Sequence, residues 1–346
     1  YTTINKSSDF FNTKLYTGNG STQTITGVGF QPDFTWIKQR NGATAHFLFD
    51  VLRGPLYRLQ SNSSNTSVSA ADTLTSWNSD GFALGGENDT GGSGRTFASW
   101  NWKGNGAGSA NTAGSINSTV SANTTSGFSI VKYTGYGGNS TIGHGLNSPV
   151  KAIFTKALNA SDSWTCGFQG MPDAWSDYLR LDTNTVFGTN TDIWQNTAPT
   201  NSLFYVGHGD TNTAGRDYIA YCFADVQGYS KVSSSYTGNG NADGSFVYTG
   251  FKPAFLLIKN TTTGSTDWCL RDNKRSPFNV TQHTLFPNTN DSESSGGTSY
   301  DIDFLSNGFK IRNTSSRFNT SGNTYIYMAF AAAPLVGTNN IPANAF

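Results

Sequence analysis

Charge is what this sequence has least of. Only 13% of its 346 residues are Asp, Glu, Lys or Arg, about half the share in an ordinary globular chain. The two signs cancel to a net charge of +0, and no run of like charges stands out. A nucleic-acid binder needs a basic stripe and an anionic membrane surface needs basic clusters, so neither partner is expected. Cysteine is scarce too. Cys166, Cys222 and Cys269 are odd in number and lack CxxC spacing, which gives neither a zinc site nor a disulfide framework, and buried free thiols are expected. No apolar run reaches the ~18 residues of a membrane-spanning helix. No sustained 3.6-residue apolar period is present either, and only 174–181 and 329–335 could hold a helical turn. The chain opens on Tyr1 rather than Met and shows no signal-peptide pattern, which reads as a fragment or a processed form.

Solubility must then come from neutral polar groups, and Asn, Ser, Thr and Gly fill that role. These residues favour turns and strand edges over helix interiors. Aromatics reach 14%, too many for a disordered chain. Many short strands joined by polar turns are the expected result.

The chain repeats itself three times. Tyr16-Thr17-Gly18-Asn19-Gly20 returns as Tyr133-Thr134-Gly135-Tyr136-Gly137 and as Tyr236-Thr237-Gly238-Asn239-Gly240, 117 and then 103 residues apart. Gly29-Phe30-Gln31-Pro32-Asp33-Phe34-Thr35-Trp36-Ile37-Lys38 returns as Gly250-Phe251-Lys252-Pro253-Ala254-Phe255-Leu256-Leu257-Ile258-Lys259, with a looser copy from Gly145 to Lys156. Ser79-Asp80-Gly81-Phe82 matches Ser306-Asn307-Gly308-Phe309, a turn entering a strand. Phe97–Trp102, Tyr218–Phe223 and Tyr325–Phe330 close the copies as aromatic-rich strands. Recurrence of this length signals tandem structural units. The fold class expected is all-β, with three tandem antiparallel β-sandwich or jelly-roll-like repeats at 14–103, 127–227 and 234–333. A lead-in at 1–13, a flexible Gly/Ser/Asn/Thr-rich linker at 104–126 and a tail at 334–346 complete the chain.

These blocks, together with Tyr325-Ile326-Tyr327-Met328-Ala329-Phe330-Ala331 and the closing Val336-Gly337-Thr338-Asn339-Asn340-Ile341-Pro342, resemble uncharacterised repeat proteins of marine phages, often described as tail-fibre-like or lectin-like. The resemblance implies a virion exterior protein, extracellular, touching other virion proteins and a host-surface ligand, with glycan favoured. It implies no catalytic residue. Assembly as a homo-oligomer, a trimer included, is expected. A purely structural capsid-decoration or fibre role is the first alternative, and a glycan depolymerase the second.

Catalysis finds little support in the residues. The four histidines, His46, His144, His208 and His283, accompany no Gly-x-Ser-x-Gly elbow and read as turn or surface residues. His144 and His208, each flanked by glycines, suggest exposed loop tips. Glycoside hydrolysis needs two carboxylates facing one sugar. Asp291/Glu293 and Asp301/Asp303 have strand-face spacing, and Glu87, Asp89, Asp173 and Asp177 complete the candidates. Polar loops produce such pairs by chance. Asp210 to Asp217 partly resembles a calcium loop but has Ala214 at a ligand position and no Glu at the twelfth. No metal, no cofactor and no enzymatic activity are therefore expected. The stretch from Met171 to Asn201 differs most from its sister copies, and Trp175, Tyr178 and Trp194 within it are the candidate ligand-binding residues, as stacking platforms for sugars; the alternative is that they pack a local mini-core.

Overall fold

The structure, a computed structural model, describes residues 2–336. It is all-β, and every pairing between its named strands is antiparallel. In the first repeat the opening strand Phe11–Thr17 pairs with the closing strand Thr96–Trp102, which pairs in turn with Phe34–Gln39 and then Phe47–Asp50. The third repeat has the same order: Ser230–Thr237, Thr324–Pro334, Phe251–Asn260, Cys269–Asp272. The second keeps it as Phe128–Thr134, Asp217–Phe223, Ala152–Ala157, Thr165–Phe168, and extends the sheet to eight strands. A smaller sheet of two or three strands backs each large one, so every repeat is a two-layer sandwich.

The closing strands show what the large sheets do. Their side chains alternate between faces, and both faces are buried. Tyr218, Ala220 and Cys222 enter the sandwich core of the middle repeat, while Ile219, Tyr221 and Phe223 enter a second core. Tyr325, Tyr327 and Ala329 against Ile326, Met328 and Phe330 repeat the pattern. The second core belongs to all three repeats at once. Trp102, Phe223 and Phe330 are register equivalents, and their ring centroids lie 5.7–6.4 Å apart, within the range of favourable aromatic pairs. The gap left among the three sheets is about 20 Å3, room for about one water-sized sphere. The repeats are therefore three parts of one closed body.

Equivalent residues also lock the seams, always in the same sense around the ring. Tyr221 of the second repeat donates to Asp50 of the first at 2.7 Å. Trp100 of the first donates through Nε1 to Asp272 of the third at 3.0 Å. The third member of the set is apolar on both sides, Met328 and Phe168, so donor and acceptor are absent together and no buried polar group is stranded. Trp164 Nε1 donates to the Gln60 carbonyl (2.8 Å) and Trp268 Nε1 to the Arg180 carbonyl (2.9 Å). His46 fills the corresponding place in the first repeat, its ring close to the Phe286 backbone of the third and fully buried. The repeated Ile/Thr-Lys positions carry buried lysines. Lys156 Nζ reaches the Ser64 carbonyl and Lys259 Nζ the Asn184 carbonyl, each in the preceding repeat.

Several expectations need correction. The Gly/Ser/Asn/Thr-rich stretch at 104–126 is not a loose tether. Ser109–Asn111 and Ser118–Asn123 are strands, and the second pairs with Phe128–Thr134 along its whole length. Its polar composition hides Ile116 and Val120, which face the sandwich core. The helical turns expected at 174–181 and 329–335 are turn and strand; the two α-helical turns among the described residues are Asn88–Gly91 and Gly209–Asn212. His46 and His144 are fully buried rather than superficial. The three cysteines are free and buried, as expected. The tail beyond Val336 lies outside the described residues.

Candidate functional site

Trp175 and Trp194 do not face solvent. They meet edge to face, centroids 6.1 Å apart at 84°, inside the middle sandwich core. Gly167 makes the room: a Cβ there would come within 2.8 Å of Trp194 and 2.9 Å of Trp175. Trp175 Nε1 donates to Gln169 Oε1 at 3.1 Å. Tyr178 is half-buried against the same core, with the Arg180 guanidinium 4.7 Å over its ring. The Met171–Asn201 insertion is thus a packed mini-core. Its polar neighbours in sequence disguised rings whose partners are distant in the chain.

Two of the candidate carboxylates are already engaged, Asp303 pairing with Arg312 at 3.0 Å and Asp301 accepting from Gln282 at 2.8 Å, and in the calcium-like loop Asp210 pairs with Arg180 at 2.6 Å. The last contact, with Thr211 and Asn212 buried in a helical turn, makes the calcium-like loop a structural corner. Among the described residues no three His, Cys, Asp or Glu side chains converge as a metal cluster would require.

One constellation has the residue types of a nucleophile–base–acid relay. Ser276 Oγ lies 3.0 Å from His283 Nδ1, and His283 Nε2 lies 3.9 Å from Glu293 Oε1. The carboxylate, however, is held by Arg40 through Nε and Nη2 and by Arg275 through Nη1. Burial would raise the Glu293 carboxyl, but these guanidiniums outweigh it and hold it below the usual range. A carboxylate spent on two cations cannot also stabilise an imidazolium. Ser276 Oγ meanwhile accepts the His283 backbone N–H at 3.3 Å. The group staples the first repeat to the third.

Three copies within one chain provide their own comparison: what all share builds the scaffold, and what one alone has is a candidate site. The outer strand of the small sheet gives the clearest difference. In the first repeat it presents Thr24 and Thr26, flanking buried Ile25. In the second the same positions are half-buried Thr141 and buried Gly143, flanking buried Ile142. In the third it presents Phe246 and Tyr248, flanking buried Val247, with the rings 47% and 59% exposed. Each ring lies against a glycine. A Cβ on Gly308 would stand 3.2 Å from Phe246 Cε2, and one on Gly250 would stand 3.6–3.8 Å from the Tyr248 ring and hydroxyl. The absence of a side chain on either glycine leaves room for each ring, and both rings remain about half exposed.

Charges around the rings cancel locally. Lys310, directly opposite Phe246, pairs with Asp243 at 2.8 Å, and Arg312 bridges Asp243 (3.5 Å) and Asp303 (3.0 Å). The Lys310 hydrogen bond and charge hold the Asp243 carboxyl below its ordinary range. Tyr248 also borders a groove of about 460 Å3 at the seam of the second and third repeats, walled by Thr2, Asp225, Gln227, Lys231 and Val336. Asp225 and Lys231 are 3.4 Å apart there, and Thr2 donates to the Gln227 carbonyl at 2.7 Å.

Compared with known proteins, one family model matches residues 6–334, under the description Domain of unknown function (DUF7483). No curated protein and no solved structure matches the chain.

Proposed function

The chain belongs to the DUF7483 family, and we propose that it is a non-enzymatic exterior module of a phage virion that binds a host-surface ligand, a glycan, through the ring pair Phe246 and Tyr248. The observation carrying this reading is that pair itself: two half-exposed rings, seated on glycines, in one copy of three. Exposed aromatics cost solvation and are retained where a partner covers them. The single interlocked body supports an exterior setting, because few segments are left to open to shear or proteases. The virion assignment rests on the marine-phage resemblance of the repeated blocks. A trimer of copies is not needed to make a threefold core, since the chain supplies all three parts.

The test is adsorption of labelled protein to a panel of marine bacteria. The variant Phe246→Thr/Tyr248→Thr installs the residues of the first repeat at equivalent positions, both suited to a strand. It should melt like the parent and lose adsorption. Adsorption equal to the parent's would sink the reading and favour a purely structural role.

A further inference from the structure

Resting on that reading, we infer that the site takes a neutral, linear oligosaccharide of at least three units, laid along Phe246 and Tyr248 and ending in the groove beside Gln227, with one such site per chain. Phe246 and Tyr248 are two apart on a strand, so their outward faces are separated by about 7 Å. One sugar ring cannot cover both, whereas an extended chain offers apolar ring faces in succession. The strand then leads from Tyr248 directly to the groove, whose wall changes from rings to hydrogen-bonding groups. Gln227 offers an amide, donor and acceptor at once, and is exposed. Asp225 and Lys231 add an acceptor and a donor. That mixture suits hydroxyl groups, which both give and take hydrogen bonds.

Neutrality follows from the charge pattern. Lys310 and Arg312 are met by Asp243 and Asp303, and Lys231 by Asp225. Among the described residues, the cations beside the rings and in the groove wall, Lys310, Arg312 and Lys231, are each paired, which disfavours a polyanion, and single-stranded nucleic acid, which also stacks on rings, requires a basic groove. A proline-rich peptide docks between aromatic walls, but here the rings lie side by side on an open sheet face. The single copy follows from Thr24/Thr26 and Thr141/Gly143 at the equivalent positions.

Titration calorimetry would use neutral linear oligomers of glucose, galactose, mannose or N-acetylglucosamine, from one to six units, beside uronic-acid oligomers of the same lengths. One neutral series should bind at one site per chain, gain affinity up to three or four units, then level off. Its affinity should change less than about twofold between 50 and 500 mM salt, since counterion release contributes little where charges are already paired. Phe246→Thr/Tyr248→Thr should weaken it ~30-fold or more, the fold-change of a hot-spot ring pair. Gln227→Ala should weaken the three-unit ligand but leave the two-unit one unchanged. Preferential, salt-sensitive binding of the uronic series, binding of a proline-rich peptide instead, binding of no neutral series, or three sites per chain would overturn the inference. If cell adsorption still depends on Phe246 and Tyr248 in that case, only the ligand class fails; if adsorption is also indifferent to them, the binding function fails with it.

Discussion

The Tyr221 hydroxyl reaches across a repeat boundary to donate a 2.7 Å hydrogen bond to Asp50. Asp50 is also held by Arg53 Nε at 2.5 Å and by the backbone N–H groups of Leu52 and Arg53. Burial opposes the charge on Arg53, but Asp50 and Tyr221 more than restore it and hold its pKa above the ordinary value. Tyr221→Phe therefore removes one of several bonds to a buried carboxylate. It should cost about 1–3 kcal/mol, read from the urea midpoint. Trp100→Phe should cost a similar amount at Asp272, where Arg275 repeats the role of Arg53. Each variant should still unfold in one transition by fluorescence and circular dichroism, because the shared core joins the repeats. Separate melting of one repeat would contradict the single-body description.

The two kinds of aromatic should respond oppositely to truncation. Trp194, 1% exposed, should cost about 3–5 kcal/mol when changed to Ala. Phe246→Thr, on an open face, should stay within about 0.5 kcal/mol. Thermal melting distinguishes them, and a Trp194→Ala protein melting like the parent would show that the insertion is not a core.

Acid should weaken the fold between pH 6.5 and 4. The His144 Nε2 lies 3.2 Å from the Thr200 carbonyl, and Nδ1 accepts the Leu146 N–H. Both bonds are satisfied only by the neutral ring protonated on Nε2. Burial lowers its pKa to about 4, against partial support from Thr200, and burial also pushes His46 well below its ordinary value. A depressed folded-state pKa means that the unfolded chain binds the proton first. Stability is thus complete above pH 6.5 and falls as pH drops toward 4. For His144 alone the loss is about 3 kcal/mol. Urea midpoints at pH 7 and pH 4.5 should show it, and His144→Gln should flatten the dependence.

Thiol chemistry should report the whole body. Cys166, Cys222 and Cys269 are buried, and burial raises all three pKa values, Cys269 to about 12. A thiol reagent at pH 8 should modify none in the native protein and all three in denaturant. Rapid modification of one thiol without denaturant would reveal local opening at that repeat.

Much of the scaffold was legible in the sequence. The ordered blocks marked the three copies, and the aromatic spacing of the closing strands fits burial on one face or both; the structure buries both, with Phe97 on one side and Trp100 and Trp102 on the other. What local pattern could not show was that the outward faces of three sheets meet. One signal of the seams was present and passed over: Asp50-x-x-Arg53-x-Pro55 returns as Asp272-x-x-Arg275-x-Pro277, the same buried ion pair built twice. Local sequence leaves the role of the insertion open for a related reason. Rings in a polar stretch, such as Trp175 and Trp194, look exposed until distant elements such as Ile142 and Phe204 close over them. Phe246 and Tyr248 correspond to Thr24 and Thr26 only once a two-residue insertion is allowed, since Thr24 follows Tyr16 by eight residues and Phe246 follows Tyr236 by ten; strand register, with Ile25 opposite Phe82 and Val247 opposite Phe309, makes the match plain.

In a ring of three separate identical chains, every substitution appears three times, and a change that helps one interface must be tolerated at all of them. Here the three lobes are encoded one after another, so each can drift alone. One seam has the apolar pair Met328 and Phe168 where the others have Tyr221–Asp50 and Trp100–Asp272. The aromatic edge likewise arose on a single lobe. Encoding the three lobes in one chain makes the body an oriented object, with a distinguishable front, and any multiplicity of contacts must come from how many chains a larger assembly displays.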